Sequence, residues 1–241
     1  MEQLLSIWTY LNTHQKLLLY LGIGVVAVVL GYYGYQLVAS RSAMARTAAL
    51  NKALEAYSSV DAGNPGEKPP TPEEINAKLN AALKALDQVA RDYPSSPEGL
   101  SATILKASCL RRLGKLPEAE AELRKVIERT GEDQTRQVAR MSLAETLRLQ
   151  KKYDDAVRVY DELGKEPRLI VSKENLLLDK AQTLEEAGKL EVAYSILSGL
   201  VQSLEKVKPE DEEGPAVSLD DVRARLESLK TKMLEKGIKI S

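Results

Sequence analysis

The side chains that commonly carry out chemistry are scarce in this chain of 241 residues. Its single histidine, His14, lies near the N-terminus, and its single cysteine, Cys109, stands among apolar residues. One histidine cannot supply a zinc site or a His-based catalytic triad in the rest of the chain. Adjacent carboxylates such as Asp154 and Asp155 are typical of solvated helix surfaces, and no glycine-rich phosphate loop is present. We therefore predict that the protein is not an enzyme and that it uses no cofactor and no metal.

Charge and thiol content restrict the choice of partner. Lys and Arg number 34 and Asp and Glu number 35, so the net charge is −1 at pH 7. A nucleic-acid-binding protein needs a clear basic excess, which this composition lacks. A single cysteine forms no internal disulfide, and Cys109 is predicted to be a buried, inert thiol in a helix. The expected partners are other proteins and a membrane, with no nucleic acid and no small-molecule substrate.

An uncharged run occupies residues 17–39 and reads LLLYLGIGVVAVVLGYYGYQLVA. At about 1.5 Å per residue, a helix of this length crosses a hydrocarbon core of roughly 30 Å. A cleaved signal peptide is the alternative, but its apolar stretch is about 7–15 residues long and follows a basic start. Here Lys16 is the only Lys or Arg before the run. We predict a short interfacial segment over residues 1–16 and an uncleaved transmembrane helix over residues 17–39.

The remainder of the chain repeats with a period of 37 residues. Two sets of alanines share this spacing: Ala107, Ala144 and Ala181, and, 12 positions further on, Ala119, Ala156 and Ala193. Gly-Lys or Lys-Lys pairs, which suit tight turns, fall between the two alanines of each unit. Each unit is therefore predicted to be a helix, a turn and a second helix, with the alanines placed where the two helices cross closely.

These units resemble tetratricopeptide repeats, which are helix–turn–helix units of 34 residues. The resemblance is carried by A-x6-G-K-L-x2-A-x3-L in the first and third units, by A-x8-Y-x2-A-x3-Y in the second, and by Tyr93-Pro94 at the end of an earlier unit. It implies an all-α solenoid behind the N-terminal transmembrane helix. The predicted repeat domain covers residues 41–241, with an irregular repeat at 43–94, regular repeats at 100–133, 137–170 and 174–207, and a capping helix at 218–237.

Two polar segments interrupt the repeats. Residues 61–72 are rich in Pro and Gly and are predicted to form a flexible surface loop, and residues 208–215 form an acidic linker. Beyond the linker, Ser218 and Asp221 give a capping-box signal ahead of an apolar stripe. The resulting helix is predicted to cover the last repeat, and a partner-binding amphipathic helix is the alternative.

The first helices of the regular repeats carry the candidate partner-binding groove, because such helices line the concave face of helical-pair solenoids. The predicted groove residues are Ser101, Ile104, Ser108, Arg111, Val138, Met141, Glu145, Arg148, Asn175, Leu178, Gln182 and Glu185. Ile104, Met141 and Leu178 would form an apolar ladder for a peptide or a partner helix, and the two arginines would favour acidic flanks. The alternative is that the three ladder residues pack between neighbouring repeats.

The layout of the whole chain resembles the YfgM-like family, the ancillary inner-membrane subunits of the bacterial Sec translocon. The shared features are one N-terminal span, an alanine-rich helix, a long loop, a DYPSSP repeat end and about four repeats. The resemblance implies a cytoplasmic N-terminus, repeats in the periplasm, and a translocon-associated co-chaperone that partners a membrane-anchored periplasmic chaperone. Flanking charge favours the reverse orientation, because Arg41, Arg46 and Lys52 follow the span and only Lys16 precedes it.

Three functions are open on this basis. The first is a translocon-associated periplasmic scaffold with co-chaperone character. The second is a structural scaffold of a dedicated envelope or membrane complex, and the third is a cytoplasm-facing adaptor that recruits soluble proteins. Membrane topology separates the third from the others, and co-purification in mild detergent separates the first two.

Overall fold

In a computed structural model, the chain is built from α-helices. The structure describes the backbone of residues 15–60, 70–206 and 217–239, and the side chains of these ranges apart from 15–27 and 34–39. These ranges contain no strand, so the predicted all-α class is confirmed. The chain divides into two compact units, Met1–Ala49 and Leu50–Ser241.

Nine helices follow one another within the described ranges. They are α1 (Gln15–Ser58), α2 (Pro72–Asp92), α3 (Pro97–Arg112), α4 (Leu116–Arg129), α5 (Asp133–Leu149), α6 (Tyr153–Leu163), α7 (Lys173–Glu186), α8 (Leu190–Leu204) and α9 (Leu219–Glu235). From α2 onward, each helix packs against the next one along the chain. The helices therefore stack in sequence order, as expected of a helical-pair solenoid.

Helix α1 runs without a break from Gln15 to Ser58. No proline occurs in its 44 residues, so no backbone hydrogen bond is lost and no kink is forced. The sequence suggested a spanning helix that ends at residue 39 and a separate repeat helix that starts at residue 43. In the structure both segments belong to one continuous helix.

The N-terminal predictions fall mostly outside the described side chains. The interfacial segment at 1–16 precedes the described residues almost entirely, and the predicted span at 17–39 has described side chains only over residues 28–33. Among them, Val28, Leu30 and Tyr33 are exposed. Across the described residues, none of the helices combines the length and the apolar character that a membrane span requires.

Buried alanines mark the crossings of the paired helices. The alanines of both predicted sets, Ala107, Ala119, Ala144, Ala156, Ala181 and Ala193, are at most 1% exposed. Leucines of both helices fill the space around them, for example Leu110, Leu123 and Leu147 in one core cluster. The 37-residue period therefore locates the core of each helix pair correctly.

The turns inside the three regular repeats all close in the same way. Gly114, Lys151 and Gly188 are 37 residues apart and have left-handed backbones, with φ of 73°, 61° and 78°. One residue further on, the N–H groups of Lys115, Lys152 and Lys189 donate to the carbonyls of Leu110, Leu147 and Leu184 at 2.8, 2.9 and 2.9 Å. These bonds satisfy carbonyl groups at the C-terminus of each first helix. Lys151 is the non-glycine member of this set.

A buried glutamine fixes the connection between α6 and α7. The Gln137 side chain donates from Nε2 to the carbonyl of Arg168 at 2.6 Å, and its Oε1 accepts from the N–H of Ile170 at 3.0 Å. One period earlier the equivalent residue is Leu100, which is buried and apolar. Because a glutamine stands here in place of a leucine, α5 provides hydrogen bonds to two backbone groups of this loop. Each of these groups would be costly to bury without a hydrogen-bond partner.

Helix α9 closes the last repeat. At its start, Ser218 Oγ accepts from the backbone N–H of Asp221 at 3.4 Å. Its buried residues Val222, Leu229 and Met233 join the core cluster formed by α7 and α8. The acidic linker predicted at 208–215 lies outside the described residues, as does the predicted surface loop up to residue 69.

The shared turn geometry allows a direct test of the repeat register. Replacing Lys151 with glycine removes a Cβ from a left-handed position and should stabilise the fold by up to about 1 kcal/mol, once the entropic cost of glycine is subtracted. Replacing Gly114 with alanine should destabilise it by a similar amount. Thermal melts of the full-length variants measure both changes. Identical melting temperatures for both variants and the parent protein would contradict the described turns.

Candidate protein-binding surface

The twelve predicted groove residues lie four each on α3, α5 and α7. Their first positions, Ser101, Val138 and Asn175, are 37 residues apart and are therefore equivalent. Val138 is 39% exposed and Asn175 is also exposed, while Ser101 is half-buried. The first turns of α5 and α7 thus present an accessible face at matching positions of successive repeats.

The apolar ladder takes part in packing. Ile104, Met141 and Leu178 are all half-buried, and each packs against a different core cluster of the repeat domain. The second interpretation drawn from the sequence, that these residues pack between repeats, therefore describes a large part of their surface. What a partner can reach is the exposed edge of each side chain.

The two groove arginines are paired with carboxylates of the following repeat. Arg111 Nη1 donates to Glu145, and Arg148 Nη1 donates to Glu186 at 2.5 Å. Because Arg111 and Arg148 are equivalent, the same kind of ion pair joins the first repeat to the second and the second to the third. Both arginines are only 17% exposed. Their charge is thus largely neutralised by glutamates of the protein itself, which weakens the expectation that they select acidic partners.

Side chains from the neighbouring helices reach the two ends of the predicted surface. The Ser108 hydroxyl lies 3.1 Å from the hydroxyl of Tyr57 on α1. At the other end, Glu185 accepts from Lys232 Nζ of α9 at 2.9 Å. These contacts bound the candidate surface on the sides of the irregular repeat and of the capping helix.

A cleft of about 310 Å³ opens between α5 and α7 inside the predicted surface. Its lining residues are Met141, Ser142, Glu145, Arg148, Tyr160, Asp179 and Gln182. Sequence reasoning identified four of them and missed Ser142, Tyr160 and Asp179. A signal for Asp179 was present, because it follows Asn175 by four residues and precedes Gln182 by three, which places all three on one helix face.

The Asp179 carboxyl is the unusual electrostatic feature of this cleft. Burial raises its pKa, repulsion from Glu145 raises it further, and the opposing attraction of Arg148 and Arg225 does not compensate. Burial also raises the pKa of Tyr160, which is 3% exposed. The cleft therefore combines a buried aromatic wall with a poorly solvated carboxyl group.

A different set of ion pairs joins lysines of the first helices to carboxylates of the second helices. Lys106 Nζ is 2.8 Å from Asp87 and 3.1 Å from Glu122. Burial would lower the pKa of Lys106, but the hydrogen bonds that it donates to the two carboxylates outweigh burial and raise that pKa. Two periods later, Lys180 pairs with Asp161 in the same manner. These lysines link neighbouring repeats through carboxylates of the second helices, which carry none of the predicted groove residues.

Thiol chemistry and metal binding are the remaining kinds of reactivity that the described residues could supply. Cys109 is buried, as predicted, and its burial raises the pKa of the thiol to about 11, so it is protonated at neutral pH. Within the described ranges, no three His, Cys, Asp or Glu side chains are grouped so as to hold a metal ion.

Stacked helix–turn–helix units with buried alanine crossings define a repeat protein of the tetratricopeptide type. The family model described as a tetratricopeptide repeat-like domain matches residues 9–167 of this chain. The chain belongs to this family, and the resemblance drawn from its repeat motifs is confirmed. A fold of this class is that of a protein–protein interaction scaffold.

Solved structures show the same fold. One is the crystal structure of a Podosopora anserina protein described as a kinesin light chain with nearly identical TPR-like repeats. It aligns with a TM-score of 0.52 at 17% sequence identity and covers 66% of this chain and 82% of that chain. A variant of the same protein gives a TM-score of 0.53 with equal identity and coverage. No curated protein matches the chain.

Proposed function

We propose that this protein is a membrane-anchored scaffold that binds a segment of a partner protein along the first helices of its repeats. The observation that carries the proposal is the alignment of equivalent positions on α3, α5 and α7, with a cleft between α5 and α7. A row of equivalent positions at the spacing of stacked helix pairs suits an extended peptide or a docked helix.

The ion pairs across the first helices support binding by a preorganised surface. Arg111 with Glu145 and Arg148 with Glu186 link three successive repeats on this face. A surface that is already ordered loses less conformational entropy when a partner docks. The exposed edges of Met141 and Leu178 then supply apolar contact between the polar groups.

The uncharged run at residues 17–39 supports attachment to a membrane. It lies in the uninterrupted helix α1, and its described apolar side chains, such as Val28 and Leu30, are exposed. Exposed apolar side chains on a helix suit lipid better than water. We infer a single-pass protein of the bacterial inner membrane, with a cytoplasmic N-terminus and the repeat domain in the periplasm.

The layout shared with YfgM-like proteins supports a role as a translocon-associated periplasmic co-chaperone. In that role the repeat domain would hold a membrane-anchored chaperone, or an emerging polypeptide, beside the translocon. The alternatives are a structural scaffold of another envelope complex and a cytoplasm-facing adaptor. The basic residues Arg41, Arg46 and Lys52 after the span favour the adaptor.

Reporter fusions after the last residue test the proposed orientation. A periplasmic repeat domain should give an active alkaline phosphatase fusion and a dark green-fluorescent-protein fusion, because each reporter folds in only one compartment when export follows the Sec route. The opposite pattern would overturn the periplasmic placement and favour the adaptor.

Affinity isolation of full-length variants in mild detergent tests whether partner proteins bind along the groove. Val138→Arg with Asn175→Arg places two bulky charges at equivalent, exposed first-helix positions and should reduce the amount of retained partner at least fivefold. Ala121→Arg with Ser195→Arg is the matched control on the second helices, where the equivalent residue Arg158 shows that arginine is tolerated.

Quantitative mass spectrometry compares the proteins retained by the two double variants and by the parent. Translocon subunits in the groove-dependent set would favour the first function over a different envelope complex. Equal retention by both double variants would contradict binding along the first helices.

A further inference from the structure

The cleft between α5 and α7 contains a charged residue at a position that is uncharged in the other two regular repeats. Leu105, Ser142 and Asp179 occupy equivalent positions 37 residues apart, and only the last is charged. Asp179 is half-buried and lines the cleft together with Glu145, which stands on the neighbouring helix. A carboxylate that is partly withdrawn from water destabilises the fold unless a cation or a hydrogen-bond donor compensates it.

The basic residues next to Asp179 on α7 and within the cleft, Lys180 and Arg148, are paired with other carboxylates. Lys180, the next residue along α7, pairs with Asp161, and Arg148 pairs with Glu186 at 2.5 Å. Among the described residues no lysine or arginine forms an ion pair with Asp179. Arg148, which lines the same cleft, and Arg225 attract Asp179 without forming an ion pair with it, and its pKa stays raised because burial and Glu145 outweigh them.

The apolar part of the cleft fits the stem of a long basic side chain. Met141 and Tyr160 line it beside the two carboxyl groups, and Gln182 lies on the same wall as Asp179. Lysine and arginine bury their methylene stems against apolar surface and keep the charged head near acceptors. A charge-assisted hydrogen bond to a half-buried carboxylate is stronger than one formed in open water.

We propose that this cleft receives a lysine or arginine side chain of the partner segment, so that the groove selects basic rather than acidic sequences. The inference rests on the proposed scaffold function and specifies its partner class. It reverses the preference suggested by the arginines in the sequence, because Arg111 and Arg148 are held by Glu145 and Glu186 while Asp179 faces the cleft.

Three fluorescein-labelled nonapeptides test the proposal against the full-length protein in a neutral detergent. Each contains three leucines, and the six positions between and around them are all Lys, all Gln or all Glu. Fluorescence anisotropy should show the Lys peptide binding about fivefold or more tightly than the Gln peptide, with the Glu peptide weakest. The Lys preference should shrink at high salt, since screening weakens a partly exposed pair.

Two variants that each remove one negative charge test whether the preference for the Lys peptide depends on Asp179. Asp179→Asn keeps the shape of the side chain and should abolish the difference between the Lys and Gln peptides. Glu128→Gln removes one negative charge from an exposed position on α4 and should leave that difference unchanged. Because Asp179→Asn removes a half-buried charge, the melting temperature of this variant should equal or exceed that of the parent protein. A lower melting temperature would show that Asp179 stabilises the fold, and would overturn the proposal.

The remaining outcomes separate this inference from the proposed function. Equal binding of the Lys and Gln peptides, or a Lys preference that survives Asp179→Asn, would overturn the basic-residue site while leaving the groove in place. Failure of all three peptides to bind the parent protein would contradict both the site and the groove.

Discussion

The close crossing of paired helices at buried alanines sets the other distances in the repeat domain. Six alanines in two sets are at most 1% exposed, and a larger side chain at such a crossing costs about 1–3 kcal/mol by overpacking. Because the crossings recur every 37 residues, successive helix pairs stack in the same way and equivalent residues come to lie side by side. The candidate binding surface is a consequence of this register, since no single residue on α3, α5 or α7 creates it.

Within that repeating frame, single exchanges give each junction between repeats its own properties. Lys106 and Lys180 occupy equivalent positions in the first and third regular repeats, and each pairs with an aspartate. The equivalent residue of the second repeat is the apolar Leu143. One residue before Lys180 on the same helix, Asp179 takes the place of Ser142 and brings a carboxyl group into the cleft. The periodic residues therefore determine the fold, and the departures from the period give the candidate surface its local charge.

The helix pairs could be predicted from sequence because alanines and turn residues are local signals that recur. The left-handed Lys151 was predictable only by its alignment with Gly114 and Gly188. Gln137 could not be placed, because it satisfies backbone groups of a loop 31 and 33 residues away. The same holds for the groove: helical periodicity gave its position and four cleft residues, but the pairing of Arg111 depends on contacts between repeats, which a single sequence does not contain.

Site-specific photocrosslinking in living cells tests most directly whether the first helices form the binding surface. A photoreactive amino acid placed at Asn175, on the exposed first-helix face, should give strong and discrete adducts with a partner protein. The same amino acid at Ser195, exposed on a second helix, should give few. Equal adducts from the two positions, or adducts from Ser195 alone, would contradict the account.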